Sequence, residues 1–141
     1  MRTLGIDFGL KRVGLALTDP RGSMAFPYKT IVRTTREGFF AEIVAILERE
    51  DVEAIVIGLP LTLSGEDSMT TRQVRNFAAS LGRRTELPIT LMDERLSSFA
   101  AAQDLAEAGI THGKRLKAAL DQQAAVRILQ TWFQQKQDAA P

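Results

Sequence analysis

Acidic side chains stand at three places in this sequence where an acid is unusual. Asp7 lies in an apolar stretch that begins at Leu4, and an unpaired buried carboxylate is costly. Asp93 and Glu94 follow directly on a short apolar stretch, and Asp121 lies one residue from the apolar side of a helical pattern, where aspartate has a poor helix propensity. Carboxylate oxygens are the ligands that Mg²⁺ and Mn²⁺ prefer. Two such ions about 4 Å apart can activate a water molecule and stabilise the leaving oxygen in phosphodiester cleavage.

Each of these segments also has an explanation that requires no ligand. Asp7 would cap a turn that Gly9 completes. The segment that contains Asp93, Glu94 and Arg95 would form a helix-capping box with a surface salt bridge. Asp121 would pair with Lys117 one helical turn earlier, an interaction worth only about 0.3 kcal/mol. The loop at 58–65 has glycines and hydroxyl groups that suit contact with a polyanion, and they equally suit an ordinary connection between a strand and a helix.

The composition limits the classes of protein and of site. The chain has 141 residues, of which 45% are apolar and 25% charged, and a formal net charge of +1, so intrinsic disorder and a histone-like polycation are excluded. There is no cysteine, and His112 is the one histidine, which excludes disulfides, thiol nucleophiles, iron–sulfur clusters and zinc sites built from histidine. No apolar run approaches the roughly 20 residues of a membrane span, and the first residues lack the pattern of a signal peptide. We therefore expect a soluble, cytoplasmic protein in which oxygen atoms hold any metal.

Hydrophobic periodicity predicts the elements that must position the acids. Three apolar runs joined by short links predict an antiparallel meander of strands at 4–8, 13–17 and 25–33, with Pro27 at an edge. The pattern then predicts a helix at 36–50, a buried strand at 54–58, and a helix that Asp67 caps and that reaches Leu81, with Gly82 as its stop. A strand at 88–92 and two helices, at 97–108 and 116–135, complete the chain.

This order predicts an α/β fold with a mixed five-stranded sheet, in which three antiparallel strands precede parallel β–α units and helices cover both faces. Residues 1–135 are expected to form a single domain. The polar residues 136–141 are expected to form a flexible C-terminal tail.

The motifs that contain the acids also carry a resemblance to a known family. They are Asp7-Phe8-Gly9 with the run 11–14, the run 56–61 with Gly65, the run 93–97, and the run 117–129. With these motifs in family order over nearly the whole chain, the sequence resembles the YqgF/RuvX family of ribonuclease-H-like nucleases, described as pre-16S rRNA nucleases or Holliday-junction resolvases. Ser98 and Leu120 depart from the residues common in that family, and neither change affects the acids.

The resemblance implies a ribonuclease-H-like fold and assigns roles to particular residues. Asp7, Glu94 and Asp121 are implied to be the catalytic residues and the ligands of Mg²⁺ or Mn²⁺, with two ions expected, and Asp93 is implied to be a neighbour. The residues implied to bind the substrate are Gly9, Lys11, Arg12, Arg95 and Lys117.

The resemblance implies a metal-dependent endonuclease that hydrolyses phosphodiester bonds in structured nucleic acid, processing the 5′ end of pre-16S rRNA in ribosome biogenesis. One alternative is a Holliday-junction resolvase, which would need two active sites and hence a twofold dimer; a homodimer is therefore left open. Another is a ribosome-maturation or transcription factor that has the fold without turnover. In actin-like sugar kinases the phosphate-binding strand also begins with Asp-x-Gly, but such a kinase needs two domains of this type, and 141 residues supply one.

Other polar and aromatic residues receive structural interpretations. The pairs at 72 and 75 and at 83 and 84 are expected to form a solvated helix face, and His112 is expected to be a surface residue. Trp132 and Phe133 lie at helical spacing from Ile128 and Leu129, which indicates core packing instead of base stacking.

Overall fold

The computed structural model describes residues 1–61, 64–93 and 113–139, and within the last range the side chains of 119–136. Five strands and three helices are present in these ranges. The strands are β1 (Thr3–Asp7), β2 (Arg12–Thr18), β3 (Ala25–Val32), β4 (Ala54–Leu59) and β5 (Ile89–Asp93). The helices are α1 (Arg36–Arg49), α2 (Met69–Gly82) and α3 (Gly113–Ala139). The helix predicted at 97–108 lies outside the described residues.

The strands form one mixed sheet in the order β3-β2-β1-β4-β5. β1 pairs antiparallel with β2 and parallel with β4, while β2 pairs antiparallel with β3 and β4 parallel with β5. The predicted meander followed by parallel strands is therefore confirmed. Pro27 lies in an edge strand, next to an irregularity of the β2–β3 register, where the missing N–H of proline is tolerated.

The helix α1 follows directly from its sequence pattern. The Thr35 side chain accepts a hydrogen bond from the Gly38 backbone N–H and so caps the first turn. Its apolar side is buried, including Phe39, Phe40 and Ile43, as the helical spacing predicts.

The start of α2 corrects one prediction. Ser68, and not Asp67, is the N-cap. The Ser68 side chain accepts a hydrogen bond from the Thr71 N–H, and the Ser68 N–H donates one to the Thr71 hydroxyl oxygen. Asp67 instead forms an isolated bridge with Leu61 and an ion pair with Arg75. Gly82 is the last residue of the helix and not a stop beyond it.

Alternate residues of each strand supply two separate cores. The side chains of Leu4, Ile6 and Ile57 pack with α1 and α2 on one face of the sheet. Ala16 and Val56, one residue out of phase, pack with α3 on the other face. Helices therefore cover both faces, as predicted, and the alternation decides to which face each polar residue near a strand end belongs.

The helix α3 is longer than predicted and lies very close to the sheet. It extends from Gly113 to Ala139, four residues into the segment expected to be a tail, because the Gln and Lys residues there are good helix formers. A Cβ atom at Gly5 would lie 2.6 Å from Leu129 Cγ and 2.9 Å from the Ala125 carbonyl oxygen. None of the helices in the described ranges is long and apolar enough to cross a membrane.

Candidate active site

Asp7 is the last residue of β1, and it faces α3. In the sheet it pairs with Gly14 of β2, and Gly5, two residues earlier on the same face, contacts α3. Burial, and then the nearby Asp121 carboxylate, raise the pKa of Asp7 from 3.8 to about 7. The Asp7 carboxylate is thus held where its charge is unfavourable unless a cation offsets it.

Asp121 reaches the same place from α3 because Gly14 has no side chain. A Cβ atom at Gly14 would collide with the backbone carbonyl of Asp121, so only glycine allows the helix to approach β2 at this point. Gly14 ends the motif run 11–14, and its packing role was not predicted from the sequence. Glycine in a strand interior often marks a close backbone approach. The position of Gly14 inside the predicted strand at 13–17 could therefore have indicated this contact.

Arg12 forms an ion pair with Asp121 that was not predicted. The Arg12 Nε lies 2.7 Å from the Asp121 Oδ2, and the exposed fractions of the two side chains are 36% and 18%. We predicted Arg12 as a substrate-binding residue and Lys117 as the alternative partner of Asp121. The guanidinium places a positive charge against the Asp121 carboxylate and occupies one of its two oxygens, which a metal ion would otherwise be able to use.

The other predicted site residues are placed as follows. Gly9 lies in the turn between β1 and β2, where a Cβ atom would collide with the Arg12 carbonyl oxygen, so the tight turn itself requires glycine. Lys11 is exposed in the same turn. Glu94 and Arg95 lie outside the described residues, and so does the side chain of Lys117, whose backbone belongs to α3.

The donor atoms present suit a hard divalent cation. Asp7 and Asp121 supply carboxylate oxygens from two elements that meet at one end of the sheet, and Mg²⁺ and Mn²⁺ prefer such ligands. Residues 1–61, 64–93 and 113–139 contain no group of three or more potential ligands. The residue implied as the third ligand, Glu94, immediately follows Asp93, the last residue of β5.

The residues given structural interpretations largely behave as expected. Arg75 is exposed and paired with Asp67. Arg83 and Arg84 are exposed, yet both donate hydrogen bonds to Ser80. The rings of Trp132 and Phe133 are partly buried against the core on the α3 face, as predicted. His112 lies outside the described residues.

Two solved resolvases have a similar fold. T. thermophilus RuvC in complex with a Holliday junction substrate superposes with a TM-score of 0.62 at 16% identity, covering 99% of this chain and 98% of that one. The fowlpox virus Holliday junction resolvase superposes with a TM-score of 0.58 at 9% identity, covering 96% and 99%. These likenesses confirm the predicted ribonuclease-H-like fold.

Relatives of known sequence are much closer. A protein of Maridesulfovibrio salexigens named "Putative pre-16S rRNA nuclease" is 62% identical over 133 residues, which are 94% of this chain and 98% of that one. A protein of Lawsonia intracellularis with the same name is 42% identical over 97% of this chain and 96% of its own length. The family model described as "RuvX: Holliday junction resolvase" matches residues 1–135. With a fold shared with resolvases and this similarity over nearly its whole length, the chain belongs to the RuvX family.

Proposed function

We propose that this protein is a metal-dependent endonuclease that hydrolyses phosphodiester bonds in structured nucleic acid. The observation that carries the proposal is the meeting of Asp7 and Asp121, from the first strand and the last helix, so close that the Asp121 charge helps to raise the pKa of Asp7 to about 7. Two acids that destabilise each other are expected where a cation is to be bound. A pure binding module would gain nothing from them.

Asp7, Glu94 and Asp121 are proposed as catalytic residues and as ligands of Mg²⁺ or Mn²⁺, with two ions. When bound, the ions would supply an activated water molecule and stabilise the leaving oxygen. Asp7 and Asp121 hold the site at one end of the sheet, and the close packing of α3 on Gly14 keeps Asp121 in register with Asp7. Glu94 is proposed as the third ligand because it immediately follows β5, which runs parallel to β1 in the same sheet and so ends at the same edge.

We propose that the natural substrate is precursor 16S rRNA at its 5′ end and that the protein acts in the cytoplasm, where this RNA is made. Support comes from the name carried by relatives that are up to 62% identical over nearly the whole chain. A four-way DNA junction is the second candidate, since the matching family model is described as a resolvase. Symmetrical cleavage of a junction would also require a homodimer.

Gly9, Lys11, Arg12, Arg95 and Lys117 are proposed to contact the substrate. Lys11 is exposed in the turn that follows Asp7, and positive charge there would offset repulsion between the acids and the phosphates. Contacts of this kind give affinity without base preference. Replacing Arg95 by Ala should lower the slope of log affinity against log salt by about one.

The function can be tested by cleavage of matched substrates. The purified protein is incubated with Mg²⁺ or Mn²⁺ and either a precursor RNA fragment spanning the 5′ end of 16S rRNA or a four-way DNA junction. EDTA and the Asp121→Asn variant serve as controls. We expect metal-dependent cleavage of the RNA fragment and none by Asp121→Asn, which should still bind RNA because it lacks a negative charge that faces phosphate.

Other outcomes would change the proposal in defined ways. Cleavage of the junction alone would make the second candidate correct, and a dimer in solution would then be required. Cleavage in EDTA, or by Asp121→Asn, would contradict the metal site. Binding of RNA without cleavage under any metal would favour a factor without turnover.

A further inference from the structure

Arginine side chains line a groove on the α1 and α2 face of the sheet, opposite the face on which α3 packs. It lies between α1, α2 and the end of β1 and has a volume of about 200 Å³. The residues that line it include the rings of Phe8, Phe40 and Phe77 and the side chains of Arg33 and Arg36, and none of them is acidic. We call it the arginine groove.

Three guanidiniums converge on Ser80, a buried residue that lines this groove. The Nη2 atoms of Arg36 and Arg83 both donate to Ser80 Oγ, at 3.1 and 3.0 Å. The Nη1 of Arg84 donates to the Ser80 carbonyl oxygen at 2.7 Å. Two cations that donate to one hydroxyl oxygen repel each other, and an anion close to both would relieve this repulsion.

In the part of the chain that the structure describes, no carboxylate forms an ion pair with Arg36, Arg83 or Arg84, whereas Arg12, Lys29 and Arg75 each have one. The arginines rest on aromatic rings instead, with the Arg84 guanidinium 4.1 Å and that of Arg36 5.4 Å from the centre of the Phe40 ring. Stacking on a ring holds a guanidinium in place and leaves its N–H groups available to an anion.

The arginine groove begins one residue from the proposed active site. Asp7 faces α3, whereas Phe8 stacks on Phe77 with ring centres 4.5 Å apart on the α1 and α2 face. Arg33, over the ring of Phe8, donates to the carbonyl oxygens of Gly9 and Leu10 in the turn that follows Asp7. The same β1–β2 turn therefore borders both sites.

We propose that the arginine groove binds phosphates of the nucleic-acid substrate away from the bond that is cleaved. The proposal rests on the proposed function for the identity of the ligand, since a polyanion handled at the acidic site would pass the β1–β2 turn. Phosphate oxygens are the acceptors that match guanidinium forks. The groove thereby supplies affinity and orientation, and the acidic site supplies the chemistry.

Binding measured separately from cleavage tests this proposal. Arg36→Gln and Arg83→Gln, singly and together, are introduced in the Asp121→Asn background. Affinity for the labelled precursor RNA fragment and for the four-way DNA junction is measured against salt concentration. Each single variant should lower the slope of log affinity against log salt by about 0.7 to 0.9 and weaken binding roughly five- to tenfold at 0.1 M salt.

Arg49→Gln is the matched control. Arg49 is an exposed arginine in the last turn of α1 that bonds to the Tyr28 hydroxyl, about 20 Å along the helix from Arg36. The Arg49→Gln variant removes one positive charge from the same helix as Arg36→Gln does. Its slope of log affinity against log salt should equal that of the Asp121→Asn parent. Slopes of the Arg36 and Arg83 variants equal to this control would overturn the proposal.

Arg36→Lys separates charge from structure. This variant retains the positive charge, so its slope of log affinity against log salt should lie close to that of the parent. A slope as low as that of Arg36→Gln would mean that Arg36 acts only by holding Ser80. Arg83 is exposed at the helix end, so Arg83→Gln is expected to fold even if the double variant does not. If the groove variants lose binding while the unaltered protein cleaves neither substrate, the groove stands and the endonuclease proposal fails. If the unaltered protein cleaves a substrate while the groove variants bind like the Arg49→Gln control, the endonuclease proposal stands and the groove proposal fails.

Discussion

Asp7 makes the folded protein sensitive to pH at the level of a single residue. Its pKa is raised from 3.8 to about 7 by burial and by Asp121, so the folded state binds more protons than the unfolded state between these values. The contribution of Asp7 to the free energy of unfolding is fully present below about pH 4. It is lost as the pH rises towards 7, and it stays lost above that pH.

We expect Asp7→Asn to remove this dependence. In EDTA, the free energy of unfolding of the unaltered protein should fall between pH 4 and pH 7 by up to about 4 kcal/mol relative to Asp7→Asn, and Asp7→Asn should be the more stable protein at pH 8. Urea unfolding at several pH values measures both. Parallel pH profiles for the two proteins would show that the Asp7 carboxyl is not perturbed.

Arg12 competes with a metal ion for Asp121. Its Nε lies 2.7 Å from the Asp121 Oδ2, so a cation can use that oxygen only after the guanidinium moves. Arg12→Gln should therefore tighten Mn²⁺ binding several-fold and lower the stability of the metal-free protein by about 1 kcal/mol or less, since the pair is partly exposed.

Calorimetric titration with Mn²⁺ checks this prediction. Lys11→Gln is the control, because Lys11 is exposed in the same turn and its loss removes the same charge without releasing Asp121. Equal Mn²⁺ affinities for the two variants would indicate a general charge effect and no competition at Asp121.

At the scale of elements, the contact between α3 and the sheet holds the acids together. Gly14 has no room for a Cβ atom beside the Asp121 backbone. Gly14→Ala should therefore displace α3, lower the free energy of unfolding by about 1–3 kcal/mol or more, and reduce cleavage because Asp121 moves away from Asp7.

Gly82→Ala provides the comparison for this helix displacement. Gly82 ends α2, and a Cβ atom there would meet Ile89 Cδ1 at 3.9 Å, an ordinary contact. This variant should be neutral or slightly stabilising, by up to about 1 kcal/mol, with normal cleavage. Thermal unfolding and initial cleavage rates measure both effects; unchanged stability in Gly14→Ala would mean that α3 is not tightly packed there.

At the scale of the whole molecule, metal binding should stabilise the fold. A ligand that binds only the folded state stabilises it by mass action, by about 2.7 kcal/mol at a concentration one hundred times its dissociation constant. Millimolar Mg²⁺ or Mn²⁺ should raise the melting temperature, more at pH 8 than at pH 6, because Asp7 must lose its proton to bind the cation. Asp121→Asn should show little shift. A melting temperature unmoved by either ion would contradict the metal site.

Local patterns in the sequence were sufficient for the order of the elements and for most of their bounds. Strand alternation and helix periodicity depend on residues a few positions apart, which is why β1 to β5, α1 and α2 were predicted to within one or two residues. The cap of α2 was wrong by one residue, because Asp67 and Ser68 are both good caps. Contacts of Asp67 with Leu61 and Arg75 decide between them, and these depend on how the loop folds.

For the candidate active site, too, the sequence predicted some features and only the tertiary structure decided others. The types of residue and the motifs predicted that Asp7 and Asp121 belong to one site, but the pairing of Arg12 with Asp121 spans 109 positions and has no local signature. The same holds for the contact of Gly14 with α3 and for the arginines that meet at Ser80 from α1 and from the end of α2. Such contacts form only after the sheet has ordered its strands and the helices have packed on its faces, because packing then brings together side chains that no sequence period relates.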